Sequence, residues 1–273
     1  MPRFGSPEAL AWLGTQGAYA DSVELKVPLV PPPGPAAEAL TGRPAPNWSV
    51  RHSYLLDTAA LDLLRSGVEI RLRRRARGRY DLSVTARRSG VGRERAVPRG
   101  VRVEFDVVPG AVWQDHEVRR EIGAADAADV LAGAVPSREL LSPTQRWWAC
   151  GGGHDAVDEA RLEELTVHGP LVVHRIKVAA RPGLRRADLE HFRYPSGGEL
   201  MELSTHCWPQ EVSATATAFE RLLDERAVAV AEGHRTRSAM WQDEIARARV
   251  RSGPAARTHR GHRPARRGPA PRR

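Results

Sequence analysis

Charged and apolar side chains alternate along Ser22-Val23-Glu24-Leu25-Lys26-Val27-Pro28, and this pattern constrains the fold more than any other in the chain. Side chains of a strand point to opposite faces with a period of two, so Glu24 and Lys26 share one face and Val23, Leu25 and Val27 share the other. The same arrangement recurs in Arg71-Leu72-Arg73, Arg102-Val103-Glu104-Phe105-Asp106, Arg175-Ile176-Lys177 and Glu202-Leu203-Ser204-Thr205-His206. Five strands with one charged face each do not suit a sandwich, whose inner faces are apolar. A closed barrel with a polar interior accommodates them. Lys26 and Lys177 are the only lysines among 42 Lys and Arg residues, and both lie in such strands.

The 273 residues suffice for one sizeable domain or two small ones. Eight arginines and no acid fall between Arg251 and Arg273, which accounts for eight of the nine net positive charges. The globular part is therefore nearly neutral, and a basic nucleic-acid-binding domain is not indicated. The Arg/Pro-rich tail, residues 251–273, reads as disordered, with a weak contact to nucleic acid or polyphosphate that fades with salt. No stretch approaches the roughly 20 apolar residues of a membrane span, and no secretory signal is visible. Two cysteines, Cys150 and Cys207, give neither a disulfide framework nor a metal-ligand spacing. These features make a cytoplasmic protein without a membrane partner the expectation.

Along the chain, residues 1–20 read as a flexible leader, and the tunnel domain as 21–232. Strands are expected near 22–30, 52–58, 68–74, 80–87, 101–107, 144–149, 161–166, 171–178 and 198–207. Asp57 or Thr58 caps a short helix that Gly67 ends. Helices are expected at 36–40, 113–121, 124–131, 138–141 and 210–231, with a separate C-terminal helix over 233–250.

The order of Glu-x-Lys, then Tyr54-Leu55-Leu56-Asp57-Thr58, then Leu61-Asp62-Leu63-Leu64-Arg65-Ser66-Gly67-Val68-Glu69-Ile70-Arg71-Leu72-Arg73, resembles the CYTH family of triphosphate tunnel enzymes. That family is named from class IV adenylate cyclases and thiamine triphosphatases. Thr144-Gln145-Arg146, His174-Arg175-Ile176-Lys177 and Met201-Glu202-Leu203-Ser204 resemble its later segments. The resemblance implies an α+β fold: a closed, antiparallel, eight-stranded β-barrel forming a tunnel, with helices packed outside. It further implies a triphosphate-containing compound or polyphosphate as ligand, Mg²⁺ or Mn²⁺ as cofactor, and a metal-dependent triphosphatase activity. Lys26, Arg71, Arg73, Arg87, Arg146, Arg175 and Lys177 are the expected triphosphate-binding residues, and Glu24, Glu104 and Glu202 the expected metal ligands. Glu24, Lys26, Lys177 and Glu202 are the expected catalytic set. Departures are Ser22 where the family has an acid, Arg87 where it has a lysine, and His206 at the polar end of the last strand. These leave a second reading, a binding module without turnover.

Overall fold

The computed structural model describes residues 4–89, 98–151, 157–233 and 236–251. Its centre is a closed barrel of nine strands: β1 (Ser22–Pro28), β2 (Ser49–Asp57), β3 (Val68–Arg74), β4 (Tyr80–Ser89), β5 (Arg102–Val108), β6 (Ala111–Ile122), β7 (Thr166–Val178), β8 (Ala187–Arg193) and β9 (Glu199–Cys207). Around the wall they run β1-β5-β6-β4-β3-β2-β7-β8-β9, and β9 pairs back onto β1. Eight of these pairings are antiparallel, whereas β1 and β5 run parallel with Ser22 opposite Glu104 and Glu24 opposite Asp106. The barrel is therefore mixed and nine-stranded, which corrects the eight antiparallel strands expected. Period-two alternation reports which face a residue occupies but carries no information on strand direction.

Among the described residues, eight α-helices accompany the wall: α1 (Pro7–Gln16), α2 (Pro33–Thr41), α3 (Asp62–Arg65), α4 (Ala124–Leu131), α5 (Pro143–Ala149), α6 (Ala160–Glu163), α7 (Val212–Glu225) and α8 (Arg237–Arg251). The apolar faces of β1, β5, β8 and β9 pack beneath α1, α2 and α7, around Val23, Leu25, Phe105, Leu189, Leu203 and Phe219. A second cluster joins Ile70, Leu72, Leu82, Val84 and Val118 to Val130 and Trp148. The inner face is thereby left to the charged residues. Burial of the outer face at roughly 25 cal/mol per Å² is the main term holding the wall together.

Several elements differ from expectation. Residues 113–121 form most of β6 instead of a helix. Their outward side carries Gln114 and His116 beside Val118, all buried, so the apolar stripe that betrays a strand is missing. Residues 144–149 are helix α5 instead of a strand. Ser142 Oγ accepts from the Gln145 N–H at 3.2 Å, Gln145 Oε1 accepts from the Ser142 N–H at 3.2 Å, and Pro143 opens the first turn. This reciprocal cap is a helix start written in the sequence. Residues 161–166 are mostly the short helix α6 and the turn after it, and β7 starts at Thr166. The segment before β1 is also structured: Phe4 stacks on Phe219 with ring centroids 5.5 Å apart, and Leu10 and Leu13 of α1 are buried. The C-terminal helix α8 does not stand apart, since Met240 and Trp241 are buried with Leu171, Val173 and Phe192 of the barrel. Nearly all of the basic tail lies outside the described residues.

The short helix α3 is capped as expected. Asp57 accepts from the N–H groups of Thr58, Leu63 and Leu64 at 2.7, 3.0 and 2.9 Å. Gly67, at φ +76°, then turns the chain into β3 against the Arg87 backbone, whose N–H donates to the Gly67 carbonyl at 2.8 Å.

Candidate functional site

Inward-facing positions of all nine strands converge on the tunnel. Its main chamber holds about 410 Å³ and is bordered by acids of β1, β5, β6 and β8 and by bases of β2, β3, β6 and β7. Two smaller chambers of about 110 and 30 Å³ continue from it, and Arg71 and Arg237 line all three.

The acidic side follows from the parallel pairing of β1 and β5. One carboxylate oxygen from each of Glu24, Glu104 and Asp106 lies within 4.8 Å of the others. Lys26 Nζ sits 2.8 Å from Glu24 Oε2 and 2.8 Å from Asp106 Oδ1. Burial alone would lower the Lys26 ammonium, but Asp106 and then Glu24 hold it above its ordinary value. Arg87 reaches Asp106 at 2.5 Å and grips Asp115 with two hydrogen bonds of 2.8 and 2.5 Å. Burial would lower its guanidinium too, and Asp106 and Asp115 raise it. Asp106 itself is pushed up to about 7 by burial, against the pull of Lys26 and Arg87. His206, paired with Glu24 across β1 and β9, lies 3.3 Å from Glu104 and 3.6 Å from Glu24. Burial opposes its charge, but the hydrogen bond to Glu104 and the Glu24 charge raise it above the usual imidazole value. Ser22 donates to Glu104 and accepts from Arg102 at 2.7 Å, so it binds an acid in place of being one.

The basic side is built by β2, β3 and β7. Arg73 makes a two-pronged bond to Asp81 at 3.2 and 3.1 Å, and burial together with neighbouring Arg71 lowers its guanidinium to about 10. Arg175 pairs with Asp188 and lies 3.7 Å from Glu190. The Nε groups of Arg71 and Arg175 are buried without a hydrogen-bond partner. Buried donors in folded proteins are normally satisfied, so these two N–H groups stand out, with Glu190 the acid nearest that of Arg175 at 3.7 Å. Lys177 borders the main chamber at its exposed edge.

Most of the expected residues thus meet in one tunnel: Glu24, Lys26, Arg71, Arg73, Arg87, Glu104, Arg175, Lys177 and Glu202. Arg146 does not line these chambers. It sits on α5 outside the wall, 3.9 Å from Glu139, because its segment is a helix. Glu202 is more buried than Glu24 and Glu104, lines the chamber of about 110 Å³ together with Asp106, and faces Arg237 at 3.8 Å. Asp106, Asp115, Glu69, Asp188 and Glu190 were not assigned by sequence reasoning. Asp106 and Glu69 carried a usable signal, since each extends an alternating run already recognised (Glu104-Phe105-Asp106 and Glu69-Ile70-Arg71). Asp115 was hidden by the misread helix. Arg237, reached from outside the barrel's strands, carried none.

No protein-family model and no curated protein matches the sequence. Solved structures do match. A Hippeastrum protein assigned as an adenylyl cyclase and described as revealing a dominant triphosphatase activity aligns with a TM-score of 0.58 at 19% identity, covering 81% of this chain and 94% of its own. A Bacillus halodurans protein assigned as an adenylate cyclase aligns with a TM-score of 0.52 at 14% identity, covering 80% and 95%. Among the described residues, no helix is long and apolar enough to cross a membrane. The closed wall, its ring of inward charges and these alignments together give this chain the fold of the CYTH-type, class IV adenylyl cyclase tunnel proteins.

Proposed function

We propose that the tunnel binds a triphosphate-containing compound and hydrolyses it with Mg²⁺ or Mn²⁺. The observation that carries this reading is the opposition of two walls within one closed cavity. Glu24, Glu104 and Asp106 gather on one side, and the guanidinium groups of Arg71 and Arg175 border the same chamber on the other. A triphosphate needs cations on several sides once it leaves water. Guanidinium forks suit its oxygens, and Lys26 and Lys177 supply compact charges.

The three carboxylates fit a hard divalent cation, which prefers oxygen donors and takes a few carboxylates with phosphate and water completing its shell. When bound, such an ion supplies Lewis-acid polarisation of a phosphoryl oxygen. Arg71, Arg73, Arg175 and Lys177 hold the phosphate chain and offset charge gathering on the leaving group. Lys26 and Arg87 keep Asp106 and its neighbours ordered by their short contacts. Water adds to the terminal phosphorus as the bridging P–O bond breaks. Orthophosphate and a chain one phosphate shorter leave, and the proton passes to solvent.

A second reading is a binding module without turnover. It is favoured by Lys26, whose ammonium already lies between Glu24 and Asp106, and by Ser22 in place of an acid. Phosphate release from tripolyphosphate, ATP and thiamine triphosphate, each with Mg²⁺ or Mn²⁺, separates the two. Metal-dependent release is expected. Tight binding with no release establishes the second reading, and neither binding nor release removes both.

A further inference from the structure

The outer surface of the barrel carries a group of metal-ligand side chains that the tunnel does not use. Tunnel-lining residues alternate along β7 as Val173, Arg175 and Lys177, and along β8 as Asp188, Glu190 and Phe192. His174 and His191 fall between them, so their side chains leave the wall on the opposite face. The two histidines are direct partners in the β7–β8 register. Their rings stack with centroids 5.9 Å apart and planes 25° from parallel. Glu199 comes from β9, opposite Arg193 and two residues from Met201, the partner of His191.

His191 is the centre of this group. It is only 6% exposed, and its Nε2 has no hydrogen-bond partner among the described residues. Glu199 Oε2 stands 3.3 Å from that nitrogen, within ion-pair range but without the geometry of a hydrogen bond. A tetrahedral ion with bonds of about 2.0–2.1 Å sets its ligand atoms about 3.3 Å apart. The gap therefore suits two atoms that share a metal ion better than two that share a proton. Arg193 Nε lies 3.8 Å from Oε1 of the same carboxylate, which leaves Oε2 to the imidazole. Trp48 stands edge-on to His174 with centroids 6.4 Å apart and walls one flank.

We propose that His174, His191 and Glu199 form a second metal site, on the outside of the barrel, for a transition-metal ion such as Zn²⁺. Imidazole nitrogen suits Zn²⁺, Ni²⁺ and Cu²⁺, whereas the all-carboxylate group inside the tunnel suits Mg²⁺ or Mn²⁺. His191 and Glu199 stand at ligand spacing already. His174 joins them by turning its ring out of the stack, since cross-strand partners hold their Cβ atoms only about 4.5–5.5 Å apart. Water fills the fourth position. The ion clips β7, β8 and β9 together from outside, behind the strands that present Arg175, Asp188 and Glu202 to the tunnel. Because only the folded chain assembles the three ligands, the unfolding temperature rises with the concentration of free ion.

The test is a Co²⁺ titration of the full chain followed by visible absorption, because a tetrahedral Co²⁺ site absorbs far more strongly than an octahedral one. Excess Mg²⁺ is present to supply the tunnel carboxylates. His259→Ala and His262→Ala are built into every protein used, which removes two tail histidines outside the described residues. One strongly absorbing Co²⁺ per chain is expected, displaced by Zn²⁺, the tighter binder of the two. His191→Ala is expected to abolish the band, and His174→Ala and Glu199→Gln each to weaken Co²⁺ binding by about tenfold or more. Zn²⁺ is expected to raise the unfolding temperature of the parent protein and not that of His191→Ala. If the buried His191→Ala variant fails to fold, Glu199→Gln decides, since its side chain is 42% exposed and keeps its shape. No intense band, a band that survives His191→Ala, or unchanged affinity in Glu199→Gln overturns the inference and makes the contact an ordinary ion pair. None of these results bears on the triphosphate reading, which concerns the opposite face of the wall.

Discussion

Lys26 and Asp106 stand 80 residues apart in the chain, yet the lysine Nζ lies 2.8 and 2.9 Å from the two carboxylate oxygens. Both groups are almost wholly buried. The contact exists because β1 and β5 run parallel with Glu24 opposite Asp106, which sets consecutive inward positions of the two strands side by side. It ties the first strand of the barrel to β5, its parallel neighbour, and it orders the carboxylates of the candidate metal site.

Replacing Asp106 by Asn should therefore cost stability as well as function. Lys26 and Arg87 would each lose a buried counter-charge, and breaking a buried pair from one side typically costs about 3–5 kcal/mol. Chemical denaturation monitored by circular dichroism should show a lowered midpoint with an unchanged slope. A variant as stable as wild type would mean that Glu24 and Asp115 suffice as counter-charges for the ammonium and the guanidinium.

The carboxylates divide into two groups with different expected phenotypes. Glu24→Gln and Glu104→Gln should each weaken Mg²⁺ or Mn²⁺ binding by about tenfold or more, because their oxygens lie within 4.8 Å of one another and of Asp106. Glu202→Gln should leave metal affinity near wild type and weaken triphosphate binding through Arg237, 3.8 Å away. Metal titrations in the absence of phosphate distinguish these outcomes. A large loss of metal affinity in Glu202→Gln would return that residue to the ligand set.

Acid should loosen α8 in a defined direction. Burial would raise Glu69, but Arg71, then Arg237 and the Ser238 hydroxyl, hold it below the ordinary carboxylate value of 4.5. A carboxylate depressed in the folded state contributes stability that is complete above the unfolded value and is lost as pH falls through the folded one. Glu69→Gln should be less stable than wild type near neutral pH by on the order of 1 kcal/mol. That difference should shrink once pH drops below 4.5. Urea unfolding of both proteins across this range is the check, and a gap that widens toward acid would contradict it.

Asp57→Ala should destabilise the fold by about 2 kcal/mol. The carboxylate is fully buried and satisfies three backbone N–H groups at the start of α3. Thermal unfolding measures this, and a loss below a few tenths of a kcal/mol would show that water replaces the cap.

The barrel's inner lining was legible in the sequence wherever outward neighbours were apolar. Glu24 and Lys26 between Val23, Leu25 and Val27, and Arg71 beside Leu72, could be assigned to one face before any coordinates. Where the outer face was itself polar, as with Gln114 and His116 on β6, the period vanished and Asp115 with it. Arg146 was misplaced because Thr144-Gln145-Arg146 resembles a basic strand of the family, although Ser142, Pro143 and Gln145 spell a helix cap. Strand direction was illegible throughout, since parallel and antiparallel neighbours present the same alternation. Arg237 lay beyond reach because its placement depends on how α8 docks, a long-range packing outcome with no local signature.

Structure determination of the protein with tripolyphosphate tests the central claim most directly. The phosphate chain is expected inside the barrel, between the Glu24, Glu104 and Asp106 side and the Arg71 and Arg175 side, with oxygens within about 3.2 Å of both arginine Nε atoms. Tripolyphosphate found only on the outer surface, with both Nε groups still unpartnered, would contradict it.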